Sequence, residues 1–113
     1  MDQLDLFKEI YSTYRKHGWA LRRVLARPEV TAAVGEELRV LGETSQIEEA
    51  LYEAMWFSRP SHQGREAWEL RLVAETSYAL FETFEPDEAE EDREELRREM
   101  EARLREQVLG TPT

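Results

Sequence analysis

The stretch MWFSRPSHQGREAWELRLVAETSYALFETFE, residues 55–85, decides the fold. Trp68, Leu70 and Leu72 alternate with Glu69 and Arg71, a period of two that sends successive side chains to opposite faces of a strand. MWFSRP precedes it and runs into the turn-rich SHQG, so residues 55–73 read as a β-hairpin. With residues 60–64 as the loop, Trp56 falls opposite Trp68, a cross-strand aromatic pair contributing about 0.2–1 kcal/mol over alanines. A second hairpin passes through Glu75 and Thr76 into SYALFETFE. There Tyr78, Leu80 and Phe84 face one way while Ala79 and Phe81 face the other, and apolarity on both sides predicts a central or covered strand. An all-helical chain would waste this alternation.

On either side of the meander, helical spacing takes over. Asp2 is a candidate N-cap, Leu4, Phe7, Tyr11 and Tyr14 form one stripe, and Gly18 closes the C-terminus, predicting a helix over 3–17. Pro28 suits a first helical position, and Val30, Ala33, Val34, Leu38 and Leu41 recur at helical spacing up to Gly42, predicting a helix over 28–41. Gly35 within it costs about 1 kcal/mol of propensity. After Pro86, Asp87 and Glu90 offer a capping pair for a helix over 87–108, about 33 Å long, with 109–113 as a flexible tail. Ala89, Leu96, Met100, Leu104 and Val108 give it a narrow apolar stripe that packs on one neighbour. Glu94 with Arg98, Glu99 with Arg103, and Glu101 with Arg105 are spaced as i, i+4 ion pairs. Residues 19–25 fit either a short strand or a helical turn and a half. Residues 45–55 fit both periods, with strand favoured from about Glu53. The expectation is one α+β domain over 1–113, an antiparallel sheet of three or four strands built mainly from 53–85, and helices covering one face.

Composition narrows the chemistry. With 113 residues, 25 acids against 15 bases and a net charge of −10, the chain is an acidic single domain, which opposes nucleic-acid backbones and anionic lipid. Residues 85–108 hold 11 of the acids and five arginines, so the excess lies near the C-terminus. No cysteine and two histidines exclude disulfides, thiolate zinc sites and iron–sulfur clusters, and no cofactor or metal is expected. The N-terminus lacks a basic region followed by an apolar one, and no apolar run is long enough to span a bilayer, so the expectation is a cytoplasmic protein without a membrane partner.

No motif names a catalytic site. Ser61 is the one serine beside a histidine, His62, but neighbours on a turn rarely aim at each other and no nucleophile elbow surrounds them. His17 falls at the end of the first helix, where an imidazolium suits the helix dipole better than a metal. Glu36 with Glu37, Glu48 with Glu49 and Glu90 with Glu91 are neighbours that point about 100° apart on a helix and make poor ligand pairs. The five glycines are too scattered to cradle a phosphate.

Two surfaces remain as candidates. Trp19, Trp56, Trp68 and Tyr78 supply either core packing or the wall of a ligand or partner surface. Arg15, Lys16, Arg22, Arg23 and Arg27 form a basic patch in an acidic chain, suited to the protein's own acidic helix, to an acidic partner, or to nucleic acid stacked on Trp19; the first is preferred. These features predict a small, acidic, non-enzymatic protein-binding protein of the adaptor, chaperone-like or inhibitor kind. It would pair with another protein or with itself as a homodimer, through exposed sheet aromatics or the charged helix. The alternatives are a small-molecule domain or minor enzyme with an aromatic-lined pocket, and an acidic mimic of nucleic acid.

Overall fold

A computed structural model describes residues 2–42 and 46–110. Along the chain run α1 (Gln3–Lys16), β1 (Ala20–Ala26), α2 (Pro28–Leu41), β2 (Gln46–Glu49), β3 (Ala54–Pro60), β4 (Glu66–Leu72), β5 (Ala79–Phe84) and α3 (Glu90–Leu109). The α+β class is as expected, but the sheet has five strands in the order β2-β1-β3-β4-β5 and is mixed. Residues 54–84 supply the antiparallel meander, and β1 joins it antiparallel to β3. The pair β1–β2 is parallel, which requires a crossover, and α2 provides it.

Helix boundaries follow local chemistry where caps are used. The Asp2 carboxylate accepts from the Asp5 N–H at 2.9 Å and opens α1. At its end His17 donates through Nδ1 to the Thr13 carbonyl, 2.8 Å away, and Gly18 turns the chain with φ +84°, a conformation suited to glycine. Pro28 opens α2, which bends at Val34 where φ is −134°. The capping pair expected at Asp87 and Glu90 does not form. Glu88 instead accepts from the Glu85 N–H at 2.7 Å, which closes a turn and delays α3 to Glu90 behind an uncapped Ala89. The expected tail falls partly on α3 and its Gly110 cap, and residues 111–113 lie outside the described residues.

The helices lie on both faces of the sheet, not one. Phe7, Ile10 and Leu38 from α1 and α2 pack with Leu21, Val24, Met55, Phe57 and Ala67 on one face. Met100 and Leu104 of α3 pack with Leu25, Ala54, Trp56 and Leu70 on the other. Alternation along each strand makes this possible, since Leu25, Trp56 and Leu70 point opposite to Val24, Phe57 and Ala67. The α1–α2 layer sits over the β2–β1 side and α3 over the β4–β5 side, so the two layers are offset diagonally.

That offset corrects the reading of β5. It is an edge strand, not a central one, and only the face bearing Leu80 and Phe84 is covered. Phe81 on the other face is 57% exposed. The register also differs, because the five-residue loop sits one position later than expected: residues 61–65 form it, and Trp56 lies opposite Leu70 while Ser58 lies opposite Trp68. The two indoles share a face as neighbours on a diagonal, edge to face at 5.9 Å.

Candidate functional site

Trp19, Trp56, Trp68 and Tyr78 do not line one pocket. Trp56 is fully buried beneath α3, and Trp68 and Tyr78 flank it on that face. Trp19 is on the opposite face, in the α1–α2 core. The Trp56 indole N–H donates to Glu101 Oε2 at 2.8 Å, and the Tyr52 hydroxyl donates to the Glu101 carbonyl at 3.0 Å, so aromatic polar tips fasten α3 to the sheet. Burial, and then the Glu101 carboxylate, pushes the Tyr52 hydroxyl up to about 12.

The five basic residues also separate. Arg23, beside Trp56, faces α3 and pairs with Glu48, Glu94 and Glu101 at 3.3, 3.4 and 3.5 Å. A bulge at Arg22 lets its Nε donate to Ser58 Oγ at 2.7 Å. Arg27 pairs with the buried Glu53 at 3.0 Å, where Glu53 also accepts the Arg27 backbone N–H at 2.9 Å at the start of α2. Arg15 donates to the Tyr11 hydroxyl at 2.7 Å and Lys16 is exposed near the end of α1.

Beneath α3, Arg97 is the residue that sequence reading missed. It is 4% exposed, and its guanidinium lies 4.3 Å from the Trp68 ring and 5.7 Å from Phe84. It pairs with Glu90 and with Glu94, the latter at 2.9 Å, while its Nη1 has no hydrogen-bond partner. Burial works to raise the Glu94 carboxyl, and Arg97, Arg23 and Arg98 outweigh it, leaving that group below its ordinary value. Arg98 pairs with Glu94 at 3.1 Å as its spacing predicted. The i, i+4 pair of Glu101 with Arg105 is not formed, because Glu101 turns toward Trp56 and Arg98.

The open half of the other face holds the strongest candidate site. Between α1 and β4 lies a cleft of about 450 Å³ lined by Ile10, Tyr14, Trp19, Glu69 and Arg71, among others. Tyr14 stacks on Phe57 with centroids 4.1 Å apart and donates its hydroxyl to Glu69. Burial and that carboxylate both hold the Tyr14 hydroxyl above its ordinary range. Glu69 pairs with no cation within the described residues, although Arg71 stands two positions along the same strand face. Arg71 donates to the Leu72 carbonyl and also reaches the Tyr14 hydroxyl, where its charge works against that of Glu69. Arg59 lies 4.4 Å over the Trp19 ring and donates to the His17 carbonyl.

Phe81 extends this site to the sheet edge. It lies opposite Glu69 in the register and meets Trp19 edge to face at 6.4 Å. The Leu72 N–H donates to the Tyr78 carbonyl, so even-numbered residues of β5 bond to β4 and odd-numbered ones aim their backbone groups outward. Thr83 confirms the pattern: its N–H turns to its neighbour's carboxylate, Glu82 Oε1, at 3.1 Å.

Ser61 and His62 sit on the loop between β3 and β4, and among the described residues no carboxylate is bonded to either side chain. Among the described residues no group of three or more potential ligands is placed to hold a metal, and no helix is long and apolar enough to cross a membrane. Comparison of the chain with protein-family models, curated proteins and solved structures finds no match.

Proposed function

We propose that the chain is a non-enzymatic protein-binding module of the adaptor, chaperone-like or inhibitor kind, docking its partner along β5 and the open half-face beside it. The observation that carries this reading is Phe81, more than half exposed on an edge strand and continuous with Trp19 and the cleft. Sheet edges are ordinarily blunted by short length, charge or proline. The opposite edge follows that rule, since β2 has four residues, QIEE. The edge β5, ALFETF, is longer, has no proline and one charge, Glu82, and places an aromatic ring in solvent. Such an edge suits addition of a further strand, with backbone bonds supplying affinity and side chains supplying selectivity.

A displayed library of random peptides, panned against the full chain, tests the reading. Enriched peptides whose binding is lost on Phe81→Asp would support it. No enrichment, or enrichment indifferent to Phe81→Asp in a variant with unchanged circular dichroism, would refute it.

A second reading, a small-molecule site, draws on the 450 Å³ cleft, whose volume suits a modest ligand. It is the weaker one, because Tyr14 and Glu69 already bond to each other. The nucleic-acid mimic is weaker again: Glu90, Glu94 and Glu101 of α3 are engaged by Arg23, Arg97 and Arg98.

A further inference from the structure

The partner's chemistry can be taken further, on the basis of the protein-binding reading above. We propose that the outer edge of β5 takes an extended segment of a partner protein carrying a lysine or arginine on the face shared with Phe81, whose cationic head crosses the Phe81 ring to pair with Glu69.

The register sets this geometry. Glu69 and Phe81 are directly opposed on the α1 face, Glu69 in the cleft beside α1 and Phe81 at the exposed sheet edge. Since even-numbered positions carry the β4–β5 bonds, this is a non-bonded pair, the type in which side chains approach most closely. A strand added outside β5 would bond to the outward N–H and C=O of Phe81, and the residue facing Phe81 would project to the same side. It stands about 9–10 Å from β4, two strand spacings. An extended lysine or arginine meeting a glutamate covers that span, and the path runs over an aromatic face, which attracts a cation.

Charge selects the same partner. Among the described residues Glu69 has no ion-pair partner: Arg71 reaches the Tyr14 hydroxyl and donates to the Leu72 carbonyl without pairing with Glu69, and Arg59 is held by Trp19 and the His17 carbonyl. Tyr14 supplies the carboxylate with one donor and holds it in place, and the remaining lone pairs of the carboxylate can accept from a cation. Glu75, which also lines the cleft, adds to the negative field. A second copy of this chain is the poorer occupant. Its β5 has no basic residue to offer Glu69, and each copy carries −10.

Titration calorimetry of the full chain with three synthetic strand-forming heptapeptides tests the inference. They differ only at the central residue, which is lysine, leucine or glutamate, and flanking alternate valine and threonine. The lysine peptide is expected to bind best. Glu69→Gln, which keeps an acceptor for Tyr14, should weaken the lysine peptide by about fivefold, the size of one partly buried ion pair, and leave the leucine peptide unchanged. Equal binding of lysine and leucine peptides, both lost on Phe81→Asp, would overturn the cationic anchor and leave the protein-binding reading intact. A Phe81-dependent dimer in sedimentation, with none of the peptides binding, would overturn it in favour of a second copy. No binding by any peptide and no dimer would overturn both readings.

Discussion

Arg97 allows the packing of a long side chain to be separated from its charge. Its stem and guanidinium fill the space between α3 and the rings of Trp68 and Phe84, where it is 4% exposed. Truncation to alanine leaves a cavity there, and emptying a site of this size in a surface-facing layer costs about 2–3 kcal/mol, the low end for large-to-small changes. Loss of the cation–π contact adds about 1–2 kcal/mol for a desolvated guanidinium. Its ion pairs add little, about 0–1 kcal/mol, because Glu90 is 70% and Glu94 34% exposed. Against these stands the unsatisfied Nη1, whose burial costs about 1–3 kcal/mol and disappears with the side chain. For Arg97→Met the stem stays, and the remaining gains and losses offset, leaving stability within about 1 kcal/mol of the parent. For Arg97→Ala the cavity is uncompensated, and the loss is about 2–3 kcal/mol. Urea unfolding at neutral pH, compared at equal denaturant slope, measures both. If Arg97→Met proves as damaging as Arg97→Ala, the charge and not the packing holds α3, and the reasoning fails.

Three further outcomes follow from the ionic and polar contacts. The Glu94 carboxyl is lowered in the fold relative to an unfolded value of about 4.3, so its stabilisation is present above that pH and is lost as pH falls through the folded value; Glu94→Gln should flatten this acid limb in a stability–pH profile, and an unchanged limb would count against it. Tyr52 moves the other way. Its hydroxyl ionises at about 12 in the fold against about 10 unfolded, so that contribution is intact below pH 10 and disappears as pH rises to 12, an effect that Tyr52→Phe should remove from an alkaline unfolding titration. Glu53→Ala should cost about 1–3 kcal/mol in thermal or urea unfolding by orphaning the Arg27 N–H, with Glu53→Gln costing less; equal losses would place the effect in charge alone.

What could be read from sequence depended on how local its cause was. The bounds of α2 follow from Pro28 and Gly42, and β4 follows from the strict alternation of Trp68, Leu70 and Leu72. The strand β1 was ambiguous because the bulge at Arg22 breaks its period and places Arg23 toward the sheet's α3 side. QIEE carries no apolar alternation to announce β2. Its pairing depends on a crossover through α2 and so on contacts distant in sequence. Position within a sheet is likewise non-local: β5 is apolar on both sides, as a central strand would be, yet lies at the edge. The same misplacement concealed the site, since an exposed Phe81 becomes meaningful only once β5 is known to lie at the edge, beyond the α1–α2 layer. Arg97 was hidden by its type, because an arginine in a run of acids reads as solvated until the Trp68 ring is placed beneath it.

Amide hydrogen exchange along β5, measured by NMR with and without a saturating library-selected peptide, tests the docking edge most directly. An added strand should slow exchange at Ala79 and Phe81, whose N–H groups point outward, and leave Leu80 and Glu82, already bonded to β4, little changed. Slowing that ignores this alternation, or that falls on α3 while Ala79 and Phe81 exchange as before, would contradict it.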